Sequence, residues 1–186
     1  MPSYETSPQR LELAGQTFWL WRGRLYPDYL NHGNAMQFIR HIAADYCNGV
    51  GLDIGADKWP MPGATPIRND AGRNALCLPD VPDRSQDFIF SSHMLEHLKI
   101  DDAADAVELW ATKLKPGGTM FLYLPHADMG LWQPESPWVG DGHKWMPTPR
   151  VVYGMMEQAG IEGIHGEFEH DAYWSWWIAG RREAAQ

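Results

Sequence analysis

Cysteine is almost missing from this chain: only Cys47 and Cys77 occur in 186 residues. Their positions match no metal-ligand or redox spacing, so both read as small buried hydrophobes. Positive charge is also scarce. Lys and Arg number 15 against 24 Asp and Glu, a net charge of −9, which argues against the clustered basic surface that a large nucleic-acid footprint requires. The neighbouring Arg22 and Arg24 are too few to reverse that balance. No apolar run approaches the roughly 18 residues that cross a bilayer. Met1-Pro-Ser-Tyr-Glu lacks the basic and apolar parts of a secretory signal. A cytoplasmic protein without a membrane span is the resulting expectation. The dinucleotide fingerprint G-x-G-x-x-G is missing too, because Ala56 and Asp57 follow Gly55.

What is present fits a globular chain with a sizeable core, at 44% hydrophobic and 21% charged residues. Residues 1–33 form an aromatic-rich arm in which Phe18-Trp-Leu-Trp-Arg-Gly-Arg-Leu-Tyr26 either packs on an apolar face or caps a pocket. Asn34 suits the N-cap of a helix to about Tyr46, with Ala35, Ile39, Ile42, Ala43 and Tyr46 on one stripe. Val50-Gly-Leu-Asp-Ile-Gly55 then reads as a buried strand ending in a tight turn, and a short strand is expected near Thr65–Ile67.

Phe88-Ile-Phe90 predicts a further buried strand. Asp101, Asp102 and Asp105 favour the N-terminal end of a helix carrying Val107, Trp110, Ala111 and Leu114 inward. Pro116-Gly-Gly118 stops that helix before Thr119–Leu124, the clearest strand in the chain. About twenty residues without periodicity follow, the length of a lid or binding loop. Thr148-Pro149 starts a last helix. Gly163–Phe168 and Tyr173–Ala179 are the closing strands, and simple alternation puts Trp174 and Trp176 on one face and Trp177 on the other. A polar tail occupies residues 181–186.

Three segments, Gly51-Leu-Asp-Ile-Gly55, Ser91-Ser-His-Met-Leu-Glu-His-Leu98 and Leu114-Lys-Pro-Gly-Gly118 before an apolar strand, together resemble the class I S-adenosylmethionine-dependent methyltransferases, in the small-molecule and sugar-associated branch. The resemblance spans residues 34–180. It implies an α/β, Rossmann-like fold with a mostly parallel sheet and an antiparallel last strand, trimmed in its first half because Gly55–Asp87 is short for two crossover helices.

The same resemblance implies the site. S-adenosylmethionine would lie against Asp53, Gly55, Asp70, Asn74, Ala75 and Ser92. Asp53 suits a cationic amine or sulfonium, and equally could tie down its own loop. Asp70 is the carboxylate available for the ribose, a few residues late. Asn74 can pair with adenine. His93 is the candidate general base, since imidazole titrates near neutral pH, with Glu96 to orient it. His126 and His143 are substrate-side candidates, and Trp132, Trp138 or Trp145 could stack on a sugar. His93-x-x-x-His97 does not reproduce His-Glu-x-x-His and no third ligand is evident, so no metal is expected. The expected activity is O- or N-methylation of a small-molecule or carbohydrate-like acceptor, with homo-oligomerisation left open. The alternative is a non-catalytic methyltransferase-like structural or regulatory protein, because Ala56, Asp57 and Lys58 stand where the family usually has glycines.

Overall fold

In the computed structural model, which describes residues 7–32, 34–56, 59–68 and 74–184, the aromatic-rich arm is itself a sheet. Strands β1 (Gln9–Leu13), β2 (Gln16–Trp21) and β3 (Arg24–Pro27) pair antiparallel in chain order. Each hairpin turns on two residues in left-handed backbone, Ala14-Gly15 and Arg22-Gly23. That geometry matches the natural twist of paired strands. A 3-10 turn, Asp28–His32, leads to helix α1 (Met36–Tyr46). Asn34 is not its side-chain cap: Ala35 takes the N-cap position, and the Asn34 carbonyl accepts from the Gln37 N–H at 3.1 Å.

The main sheet holds β4 (Gly51–Ile54), β5 (Ala64–Ile67), β6 (Gln86–Ser92), β7 (Leu114–Pro125), β8 (Ile161–Glu167) and β9 (Ser175–Arg182), in the order β5-β4-β6-β7-β9-β8. The first four are parallel, and β9 runs antiparallel to both β7 and β8. Among the described residues between Ile54 and Gln86 there is only β5 and no helix, so the first half of the sheet is trimmed as expected. Helix α2 (Ile100–Lys113) precedes β7 and α3 (Pro149–Gln158) precedes β8. Leu114 already pairs with Gln86, and the ladder resumes at Thr119 after a shift in register, so the Pro116-Gly-Gly118 run interrupts the strand pairing rather than separating helix from strand.

The strands read as near-continuous apolar runs because both faces are covered. Leu52, Ile54, Ile89, Leu122 and Trp176 face α2 and α3, around a fully buried Trp110 whose Nε1–H donates to the Ala75 carbonyl at 2.7 Å. Phe88, Phe90, Phe121, Tyr123 and Trp177 face α1 and the aromatic arm. Trp176 and Trp177 thus lie on opposite faces, but Trp174 does not join Trp176. It precedes β9 with φ +54 and packs on the arm's side. The cause is Asp171, whose carboxylate accepts from the N–H groups of Tyr173 and Ser175 and makes a turn where alternation predicts strand. Cys47 is buried as expected, whereas Cys77 is exposed. No helix among the described residues is long and apolar enough to cross a membrane.

Candidate active site

Parallel strands β4 and β6 are neighbours, so their C-terminal ends bring Asp53, Gly55, Ser92 and His93 to one edge of the sheet. Open parallel sheets hold ligands at this edge. These four residues, with Ala56, Tyr173, His32 and Asn34, line a cavity of about 540 Å³, and Trp59 stands at its rim. That volume lies within the range of small-molecule sites.

Asp53 is only 3% exposed, and its Oδ2 accepts from the Met61 N–H at 2.8 Å. Burial pushes its carboxyl up to about 7, against the lowering effect of that hydrogen bond. The residue therefore ties down its own loop, one of the two roles the sequence left open, and it also lines the cavity. Gly55 has φ +89, and a Cβ there would stand 2.8 Å from Met94 Cγ, so the turn requires glycine twice over. The Ser92 hydroxyl is buried with no partner among the described residues. A buried carboxylate and an unpaired hydroxyl suit the charged methionine end of S-adenosylmethionine.

His93 holds a left-handed backbone, φ +49, and its N–H donates to the Tyr123 carbonyl at 2.8 Å. Its ring meets Tyr123, Trp132 and Tyr173 edge-on, with centroids 5.1 to 5.5 Å apart. Nε2 lies 2.8 Å from Ser175 Oγ and Nδ1 3.5 Å from Glu96 Oε1. Burial, with smaller effects from His143 and His97, lowers its pKa to about 3, so the ring is neutral at ordinary pH. Both nitrogens are turned to protein groups, which departs from the expectation of a base free to take a substrate proton.

The other expected catalytic residues fall elsewhere. Glu96 is 0% exposed and, together with His143, stands behind His93 rather than on the cavity wall. Its carboxyl is pushed up to about 8 by burial. His143 is also buried, with Nδ1 2.6 Å from the Trp132 carbonyl oxygen, and burial lowers its pKa. His126 does not line the cavity: its Nδ1 accepts from the Asp128 N–H at 3.1 Å and its ring leans on His170. On the expected cofactor side, Asn74 spends its Oδ1 on the Leu76 N–H, and Ala75 is buried beneath Trp110, so neither joins the cavity lining. Asp70 lies outside the described residues. Of the tryptophans proposed for stacking, Trp138 pairs with Trp19 and Asn31, Trp145 donates to the Leu95 carbonyl, and Trp132 backs His93.

Among the cavity residues that the sequence did not mark as a site are His32, Trp59 and Tyr173. His32 Nε2 is 2.8 Å from Asp28 Oδ2, while Trp19 Nε1–H donates to the other oxygen at 2.6 Å. The Trp19 hydrogen bond first, and then that of His32, hold Asp28 below the usual carboxylate range. The Asp28–His32 spacing of one helical turn is the signal that could have found the pair.

The model of a family described as a methyltransferase domain matches residues 31–165. No curated protein matches by sequence. Among solved structures, a SAM-dependent methyltransferase from Thermotoga maritima is 13% identical with a TM-score of 0.60, covering 84% of this chain and 93% of that one. One from Archaeoglobus fulgidus is 14% identical with a TM-score of 0.60, covering 83% and 97%. Human N-acetylserotonin methyltransferase in complex with SAM is 14% identical with a TM-score of 0.50, covering 73% and 41%. At such identities these likenesses establish the Rossmann-like fold.

Proposed function

The chain belongs to the methyltransferase-domain family, an S-adenosylmethionine-dependent enzyme family, and on that premise we propose that it methylates an oxygen or nitrogen of a small-molecule or sugar-like acceptor. The single observation that carries the reading is the buried carboxylate of Asp53, which shares one cavity wall with Gly55 and the unpaired hydroxyl of Ser92. When bound, the sulfonium supplies an electrophilic methyl group, and the protein's task is to place the acceptor in line and exclude water.

Asp53 offsets the cofactor's positive charge from a site already shielded from solvent. Gly55 keeps the turn above β4 open, since any side chain there would meet Met94. His93 and Tyr173, their rings edge to face, form an aromatic floor. With His93 Nε2 bonded to Ser175 and its Nδ1 turned inward toward Glu96, the proton of a hydroxyl acceptor goes to His32, whose Nε2 is fixed by Asp28. Trp59, 69% exposed at the rim, offers a ring face on which an acceptor can stack.

Calorimetry with S-adenosylmethionine, followed by transfer of a labelled methyl group to a panel of sugars and amines, tests this reading. Wild-type protein should bind the cofactor and label at least one acceptor. The non-catalytic alternative rests on the glycine-poor loop after Gly55. Absence of cofactor binding at millimolar concentration would establish it and end the enzymatic reading.

A further inference from the structure

We propose that Glu96, His97 and His143 bind a divalent transition metal, zinc in the first instance, which pins the long loop after β7 to the turn behind His93. One buried carboxylate carries the argument. Glu96 is wholly enclosed, yet neither of its oxygens has a hydrogen-bond partner among the described residues. Proteins avoid leaving such a group alone; buried carboxylates are paired, hydrogen-bonded or bound to metal.

The His143 nitrogen facing Glu96 presents a lone pair. His143 Nδ1 lies 2.6 Å from the Trp132 carbonyl oxygen, which can only accept, so the ring proton sits there. Its Nε2 is left without a proton, 3.9 Å from Glu96 Oε1. His97 Nε2 lies 4.0 Å from the same oxygen, and its ring meets that of His143 edge-on with centroids 4.8 Å apart. A ring N–H donated to a backbone carbonyl on the far side is how metal-binding imidazoles are usually oriented.

The three ligand atoms lie within 4.8 Å of one another. Bonds of about 2.0–2.2 Å in a tetrahedral site put ligand atoms roughly 3.3–3.5 Å apart, so small side-chain rotations close the set. Two imidazoles and one carboxylate favour zinc over calcium or magnesium. The fourth position is open, and the half-exposed His97 leaves it within reach of water.

This revises the expectation that no metal binds. The third ligand was invisible in the sequence because the fold brings it from the loop; the Lys144 N–H, donating to the Glu96 carbonyl at 2.7 Å, already holds that loop in place. His93-x-x-Glu96-His97 is not a helical protease motif, since Leu95–His97 is a single 3-10 turn and His93 has φ +49. His93 Nδ1 is 3.5 Å from Glu96 Oε1, so a metal that fixes Glu96 also fixes the cavity floor.

The test uses untagged full-length protein, stripped with a chelator, equilibrated with Zn²⁺ or Co²⁺ and passed through gel filtration. Wild type should retain one metal per chain, show the visible bands of low-coordinate Co²⁺, and melt at higher temperature with Zn²⁺. His97→Ala and His143→Ala should each weaken binding roughly 10²-fold or more, while His126→Ala binds as wild type does. His97→Ala is the decisive variant, because a half-exposed side chain can be removed without unfolding the chain; circular dichroism verifies that it is folded. Substoichiometric retention by wild type, or equal retention by folded His97→Ala, would overturn the proposal. Cofactor binding is measured separately, so this result does not depend on methyl transfer.

Discussion

His93 Nε2 and Ser175 Oγ lie 2.8 Å apart, fastening the residue after β6 to the first residue of β9 across the intervening β7. The serine hydroxyl donates to the Tyr173 carbonyl at 3.1 Å, so it accepts from the imidazole. Ser175→Ala should leave a buried ring N–H unpaired and cost about 1–3 kcal/mol. Urea unfolding with an unchanged slope and a lower midpoint would verify this, and turnover should fall as the cavity floor loosens.

Asp53 supplies a pH signature. Burial holds its carboxyl at about 7, whereas the unfolded residue titrates near the ordinary value of about 3.9. Between those values the folded chain carries the extra proton, so this residue's contribution to stability is full at low pH and declines as pH rises through about 7. Asp53→Asn should remove that slope, which appears as the difference between the two proteins' melting profiles. In the site we propose, the cationic cofactor favours the ionised carboxylate, so its affinity should drop up to about tenfold per pH unit below that value in wild type only. Calorimetry across a pH series reads both.

His32→Ala tests the assignment of the proton acceptor. The side chain is 70% exposed, and Trp19 still holds Asp28 without it, so stability should change by no more than about 0.5 kcal/mol. The rate toward a hydroxyl acceptor should fall roughly 10²-fold with cofactor affinity unchanged. An equal rate in the variant would return the proton to another group.

A pair of glycines gives opposite stability outcomes. A Cβ on Gly166 would stand 2.1 Å from the Trp177 carbonyl oxygen on the paired strand, and backbone cannot yield there. Gly166→Ala should therefore destabilise by at least about 2 kcal/mol. Gly154, inside α3, has no heavy atom within 4 Å of the same position. Gly154→Ala should stabilise by about 0.5–1 kcal/mol. Thermal melts of the two variants decide both.

The sheet was largely readable because strands covered on both faces are written as unbroken apolar runs, as at Phe88–Phe90 and Thr119–Leu124. Asp53, Gly55, Ser92 and His93 were readable as one wall because each lies at, or just after, a strand end on the same edge. His126 also follows a strand end, but its backbone N–H is bound to the Trp174 carbonyl and its ring turns to His170, an outcome set by the Asp171 turn. The arm's three strands escaped because they are only 4 to 6 residues long and turn on Ala14 and Arg22, non-glycines in left-handed backbone. The meeting of Glu96 with His143 depends on how a long loop folds back, and local pattern carries no trace of that.

His32 and Asn34 reach the cavity from the stretch before α1, whereas Asp53, Gly55 and Ser92 come from the ends of β4 and β6. The earlier stretch is moored at its flank, by the Tyr29 hydroxyl to the Ala172 carbonyl, by Trp138 to Asn31, and by Arg22 to Glu135. Two sides of one chamber are thus inherited from separate lengths of chain. On the function we propose, mutation can remodel the side assigned to the acceptor while the side assigned to the cofactor stays under its own selection, and a graft of residues 7–35 from a relative would exchange the first without rebuilding the second.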